Sequence, residues 1–177
     1  TFSNFSGNLP NHGHKTQVHP GAAEKFYAWR GFDAFTNGTI YTSYIMNYKR
    51  EGTGRFAGLS FLNGTNELAF FGKASGSANK LSLDVQGSFA EGNYTLNGQY
   101  QQDYIIFGKF DIDHAVFSAK AYFINNDTVP TREPATWDVT LPVTTGLITR
   151  VDGIQMGAGY LDEYAFFDEI RVASSWN

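Results

Sequence analysis

The sequence predicts an all-β chain folded as a two-layer antiparallel sandwich. Aromatic residues make up 16% of the chain, with 16 Phe and 10 Tyr, and they sit beside Val, Ile and Thr in short blocks. Such residues suit pleated, half-buried strands. Between the blocks fall the 19 glycines, joined by Asn and Asp, as turn punctuation. Helical spacing of apolar residues is nearly absent, and about ten strand-length blocks suit two packed sheets.

In chain order, the first block is residues 25–30, where Lys25-Phe26-Tyr27-Ala28-Trp29-Arg30 is rich in rings. Asn37-Gly38 then introduces 39–49, and Gly52-Thr53-Gly54 introduces 55–62. Asn63-Gly64-Thr65-Asn66 joins that strand to 67–72, and Asn-Gly favours a tight primed turn, so this is the clearest hairpin. Residues 80–85 follow, and Gly92-Asn93 and Asn97-Gly98 read as reversals before 104–112. The next strand is 115–124, closed by Asn125-Asn126-Asp127. Residues 137–141, 149–156 and 163–174 complete the set, with Asp152-Gly153 read as a further turn signal. Tyr104-Ile105-Ile106-Phe107 is apolar at consecutive positions, so something must cover both faces of that strand. Residues 1–24 hold Gly7, Pro10, Gly13, Pro20, Gly21 and three His with little alternation, and read as an irregular N-terminal arm to a single domain spanning 1–177.

The composition narrows the function. Hydrophobic residues at 42% against 17% charged provide a core and argue against disorder. A net charge of -4, with 13 Lys+Arg scattered singly, leaves no basic stripe for a run of phosphates, so nucleic acid is not an expected partner. The chain has no cysteine and hence no disulfide, thiolate metal site or Cys nucleophile. No apolar run is long enough to span a membrane as a helix.

The block Tyr164-Ala165-Phe166-Phe167-Asp168-Glu169-Ile170-Arg171-Val172 resembles the final strand of laminin G-like jelly rolls, with its Asp-Glu-Ile-Arg signature. Tyr41-Thr42-Ser43-Tyr44-Ile45-Met46 is similar to an early strand of that family. Gly58-Leu59-Ser60-Phe61 and Leu68-Ala69-Phe70-Phe71-Gly72-Lys73 are similar to its following hairpin. Tyr104-Ile105-Ile106-Phe107-Gly108-Lys109-Phe110-Asp111 and Ala121-Tyr122-Phe123-Ile124-Asn125 resemble its middle strands, and together the blocks span residues 41–176. The resemblance, to a module of the concanavalin A-like lectin and glucanase superfamily found in exported bacterial proteins, implies two stacked antiparallel sheets. It also implies an N-terminal strand near the C-terminal one, and a secreted or cell-surface location. It does not name a ligand, since the same fold carries lectins, glycanases, lyases and adhesive modules.

Candidate site residues follow from chemistry. Glycanases of that superfamily use Glu-x-Asp-x-x-Glu on one strand. The nearest segment here, Asp111-Ile112-Asp113-His114-Ala115-Val116, offers two same-face carboxylates and neither Glu, and the lyase patterns are missing too. No catalytic residue is expected. Parity places Asp168 on the face of Ile170 and Val172, as a buried carboxylate tied by backbone amides, with Glu169 and Arg171 a solvated pair opposite. Calcium is the ion the resemblance implies, and Asp111, Asp113 and Asp127 are the hard oxygen donors near strand ends. His12, His14 and His19 form a weaker metal pattern, read as part of the arm. Sugar recognition needs exposed rings beside polar groups. Trp137 next to Asp138, Tyr160 next to Asp162, and Tyr100 among Gln99, Gln101 and Gln102 are the candidates, whereas Trp29 and most Phe read as core. The Asn-x-Ser/Thr sequons at Asn4, Asn37, Asn63, Asn93 and Asn126 read as turn chemistry.

The expected function is a non-catalytic module that binds a glycan or another surface macromolecule such as a cell-surface protein, carried among other modules of a larger protein. The competing expectations are an adhesion or spacer module without a small ligand, and a divergent polysaccharide hydrolase or lyase using Asp111, Asp113 or Asp168.

Overall fold

A computed structural model describes residues 3–4, 16–18, 25–49, 54–98, 102–144, 146–159 and 164–176. They form thirteen strands: β1 (Ser3–Asn4), β2 (Thr16–Val18), β3 (Lys25–Phe35), β4 (Thr39–Tyr48), β5 (Phe56–Asn63), β6 (Asn66–Lys73), β7 (Lys80–Val85), β8 (Ser88–Thr95), β9 (Tyr104–Asp111), β10 (Val116–Phe123), β11 (Val139–Pro142), β12 (Val151–Gly159) and β13 (Ala165–Ala173). No helix occurs among the described residues. A seven-stranded sheet runs β1-β13-β4-β9-β10-β11, with β2 also on β13, and a six-stranded sheet runs β3-β12-β5-β6-β7-β8. The recorded pairings are antiparallel throughout.

Alternation along the strands builds the core. Ile40, Tyr44, Met46 and Tyr48 of β4 and Tyr104, Ile106 and Phe110 of β9 point inward against Leu59 and Phe61 of β5, Phe71 of β6 and Leu83 of β7. An aromatic knot lies at the centre. Phe71 packs 5.4 Å from Phe61 and 5.6 Å from Tyr44, and Phe117 lies 4.6 Å from Phe110. Burying each such ring contributes roughly 1.5–3 kcal/mol. Tyr44 satisfies its hydroxyl by donating to the Phe71 carbonyl at 2.7 Å. Gly108 makes room for the knot, since a Cβ there would lie 2.7 Å from the Phe71 ring. Lys73 is the one fully buried charged side chain among the described residues, and its ammonium donates to the carbonyls of Arg55 and Ala74.

The hairpin at Asn63-Gly64 forms as expected, with Asn63 opposite Asn66 and Gly64 at φ 60, as a II′ turn requires of its first central residue. Other features depart from the sequence reading. Gly92-Asn93 is not a turn but the middle of β8, where Gly92 lets the strand approach the Asp138 carbonyl, 2.6 Å from where a Cβ would stand. Asp152-Gly153 is not a reversal but lies inside β12, and the irregularity opposite it belongs to β3, where residues 32–34 face Asp152 alone. Within the arm, Ser3–Asn4 and Thr16–Val18 are strands on the β13 edge.

β13 also changes face midway. Asp168 pairs with Ile45 and Arg171 with Ser43, so one extra residue, Glu169 at φ 49, bulges out. Phe167 points inward before the bulge and Ile170 and Val172 after it, which turns Asp168 to the outer face. Asp168 is therefore not a core carboxylate. Its Oδ1 accepts the Glu169 amide at 2.8 Å and closes the bulge, while Arg171 and Glu169 form the exposed pair, also at 2.8 Å.

Candidate functional site: the outer face of the six-stranded sheet

Register lines up two outward rows across the six-stranded sheet. One reads Trp29, Gln155, Ser60, Phe70, Asp84 and Phe89; the next reads Tyr27, Gly157, Gly58, Gly72, Ser82 and Glu91. Three consecutive glycines leave the second row without side chains in its middle. Neighbouring rings lean over that floor. A Cβ on Gly157 would sit 3.0 Å from the Tyr27 ring, and one on Gly58 2.6 Å from Phe70. Tyr27 stacks on Phe56 at 6.0 Å, and Phe56 meets Phe70 edge-on at 6.2 Å.

These rings wall a cleft of about 280 Å³ whose polar lining includes Lys25, Ser60, Glu67, Ser75 and Asp84. Burial holds the Glu67 carboxyl above its ordinary value, and the like charge of Asp84 adds to this, against the pull of the Ser60 hydroxyl and Lys25. Asp84 keeps one oxygen on the Gly87 amide at 3.2 Å. Beside the cleft, Tyr27 and Trp29 stand 47% and 63% exposed. Trp29 is thus not core. Alternation held the signal: Lys25, Tyr27 and Trp29 share one parity, and Phe26 and Ala28, packed against the core, share the other.

The sequence-derived residues are placed elsewhere. Tyr100, Tyr160 and Asp162 lie outside the described residues, as do His12, His14 and His19. Trp137 lies half-buried over the outer face of the seven-stranded sheet, edge-on to Trp176 at 6.3 Å. Its neighbour Asp138 binds the Lys120 ammonium and the Ala121 amide, fixing the entry to β11.

The three aspartates do not form one ion site. Asp111 accepts from the His114 amide and Nδ1, and Asp113, in the turn rather than on the strand face, accepts the Gly38 amide. Asp127 accepts the Phe123 amide and the Tyr94 hydroxyl. Asp111 stands opposite Val116, whereas Phe123, which Asp127 caps, stands opposite Tyr104 at the other end of the β9–β10 hairpin, about 24 Å away at strand rise. Asp168 and Asp111 pair with Ile45 and Thr39 of β4, about 20 Å apart, well beyond the ~5–9.5 Å between paired carboxylates of glycoside hydrolysis.

No protein-family model and no curated protein matches the chain in sequence. Solved structures match in shape. A sialidase superposes with TM-score 0.58 over 90% of this chain at 9% identity, and the chain spans 15% of that sialidase's length. A SAP-like pentraxin from Limulus polyphemus gives 0.55 at 10% identity, over 91% of this chain and 76% of its own. A tetrameric galectin from a Cinachyrella sponge gives 0.52 at 17% identity, over 81% and 96%. The fold is a concanavalin A-like jelly roll. At these identities the jelly roll shares strand layout with its neighbours, and its outer faces carry its own side chains.

Proposed function

We propose that this jelly roll is a non-catalytic carbohydrate-binding module of the laminin G-like kind, working outside the cell as part of a larger protein. Its sugar contact is the outer face of the six-stranded sheet. The observation that carries this reading is the row of rings over the glycine floor, flanked by Ser60, Glu67, Asp84 and Lys25. Tyr27 and Trp29 offer flat apolar faces to sugar C–H groups, and the polar groups offer hydrogen bonds to hydroxyls. Calcium, the ion implied by the resemblance, enters the test as a variable.

The experiment is a glycan array probed with the labelled chain, in calcium and in chelator. Saturable binding to a defined glycan class is expected, abolished in W29A and Y27A. An array silent in both conditions overturns the reading and leaves adhesion to a protein partner as the use of the face.

A further inference from the structure

The opposite face of the sandwich carries a second cleft. It measures about 700 Å³ and is lined by Thr39, Tyr41, Arg132, Glu133, Ser174 and Trp176, among others. Trp176 forms its apolar wall, lying 5.8 Å from Tyr41 and 4.7 Å from Phe107 on the outer surface of the seven-stranded sheet. The chain leaving β10 crosses this face and brings Arg132 and Glu133 to the rim.

The charges there are distributed unequally. Glu133 has both oxygens engaged, one by the Tyr41 hydroxyl at 2.7 Å and the other by the Lys109 ammonium at 2.6 Å. Asp111, beside Thr39 in the register, is held by His114. Burial and the Glu133 bond push the Tyr41 phenol up to about 12, so it stays a donor to that carboxylate. Arg132 is exposed and has no hydrogen-bond or ion-pair partner among the described residues. A guanidinium is a rigid fork of donors suited to a carboxylate.

We infer that this cleft is a second glycan site, specific for a uronic acid residue. The sugar lays its apolar face on Trp176, its carboxylate meets the Arg132 fork, and its hydroxyls meet Thr39 and Ser174. The site does not depend on the first face, so one module would grip two chains, or two stretches of one chain, from opposite sides.

The test is calorimetric titration of the chain with a uronate tetramer, as free acid and as methyl ester, using wild type, R132Q, R132E and W29A. Expected is saturable binding of the acid, unchanged in W29A and weakened roughly ten- to a hundredfold in R132Q and for the ester. R132E should abolish it. Arg132 is exposed, so both Arg132 variants should melt with the wild type. No saturable binding of the acid, equal affinity for acid and ester, or R132Q binding like wild type would each overturn the site. Loss of acid binding in W29A would also overturn it, returning the uronate to the six-stranded face.

Discussion

Lys73 gives the jelly roll a stability that rises in mild alkali. Its ammonium is buried at the end of β6, and burial, with the nearby charge of Arg55 and against the pull of Glu91, lowers its pKa from 10.5 to about 8. The native state therefore sheds this proton near pH 8, while the unfolded chain keeps it to about 10.5. Between those values the unfolded state binds more protons, so unfolding becomes harder as pH rises. For a single group with these two constants the gain is about 2.5 kcal/mol between about pH 7 and 10, and about 3 kcal/mol at its limit. The assay is guanidinium unfolding at a series of pH values for wild type and K73M, with the difference between them plotted against pH. Subtraction removes Tyr41, Tyr44 and Tyr94, whose phenols are all raised by burial. Wild type should gain on K73M by ~2.5 kcal/mol across the window. A flat difference would mean that the ammonium is solvated in the native state and would refute the argument.

Further perturbations have equally definite outcomes. F71A empties the centre of the aromatic knot and should cost about 3–5 kcal/mol in denaturant unfolding; a loss under about 1 kcal/mol would mean the knot is not the core. D127A removes the acceptor shared by the Phe123 amide and the Tyr94 hydroxyl, and should lower stability by about 1–3 kcal/mol with no effect on glycan binding. Deleting the chain from Glu163 onward removes β13, the partner of β4 on one side and of β1 and β2 on the other; the product should show no cooperative melt. W29A should leave the melting curve unchanged, because the ring is mostly exposed, while abolishing binding of the glycan class that the six-stranded face holds on the array.

Most of the sandwich was legible because inward and outward residues alternate cleanly. The β5–β6 hairpin, β7 and β9 lie within a residue or two of their expected bounds. β8 was hidden because Ser88-Phe89-Ala90-Glu91-Gly92-Asn93-Tyr94-Thr95 is an edge strand with a solvated face, and its glycine serves a close approach rather than a reversal. The reading of Asp168 failed at the Glu169 bulge, which local sequence does not announce and which inverts parity for the rest of the strand. The candidate site was obscured for another reason. A Trp in a strand reads as core unless its parity is followed through Lys25 and Tyr27, and the glycine floor lies on β5, β6 and β12, whose adjacency only the topology reveals.

The order of the strands also bears on how the chain is made. Both β3 and β4 wait for partners from the far end of the sequence: among the described residues β3 pairs with β12 alone, and β4 needs β13 to cover one of its edges. As the chain leaves the ribosome, Lys25 through Tyr48 must stay unpaired or half-paired until the last strands are synthesised. Until then Phe26, Tyr44 and Met46 are exposed to other nascent chains. Non-local pairing of this kind slows folding and lengthens the interval in which a chaperone can hold the chain open.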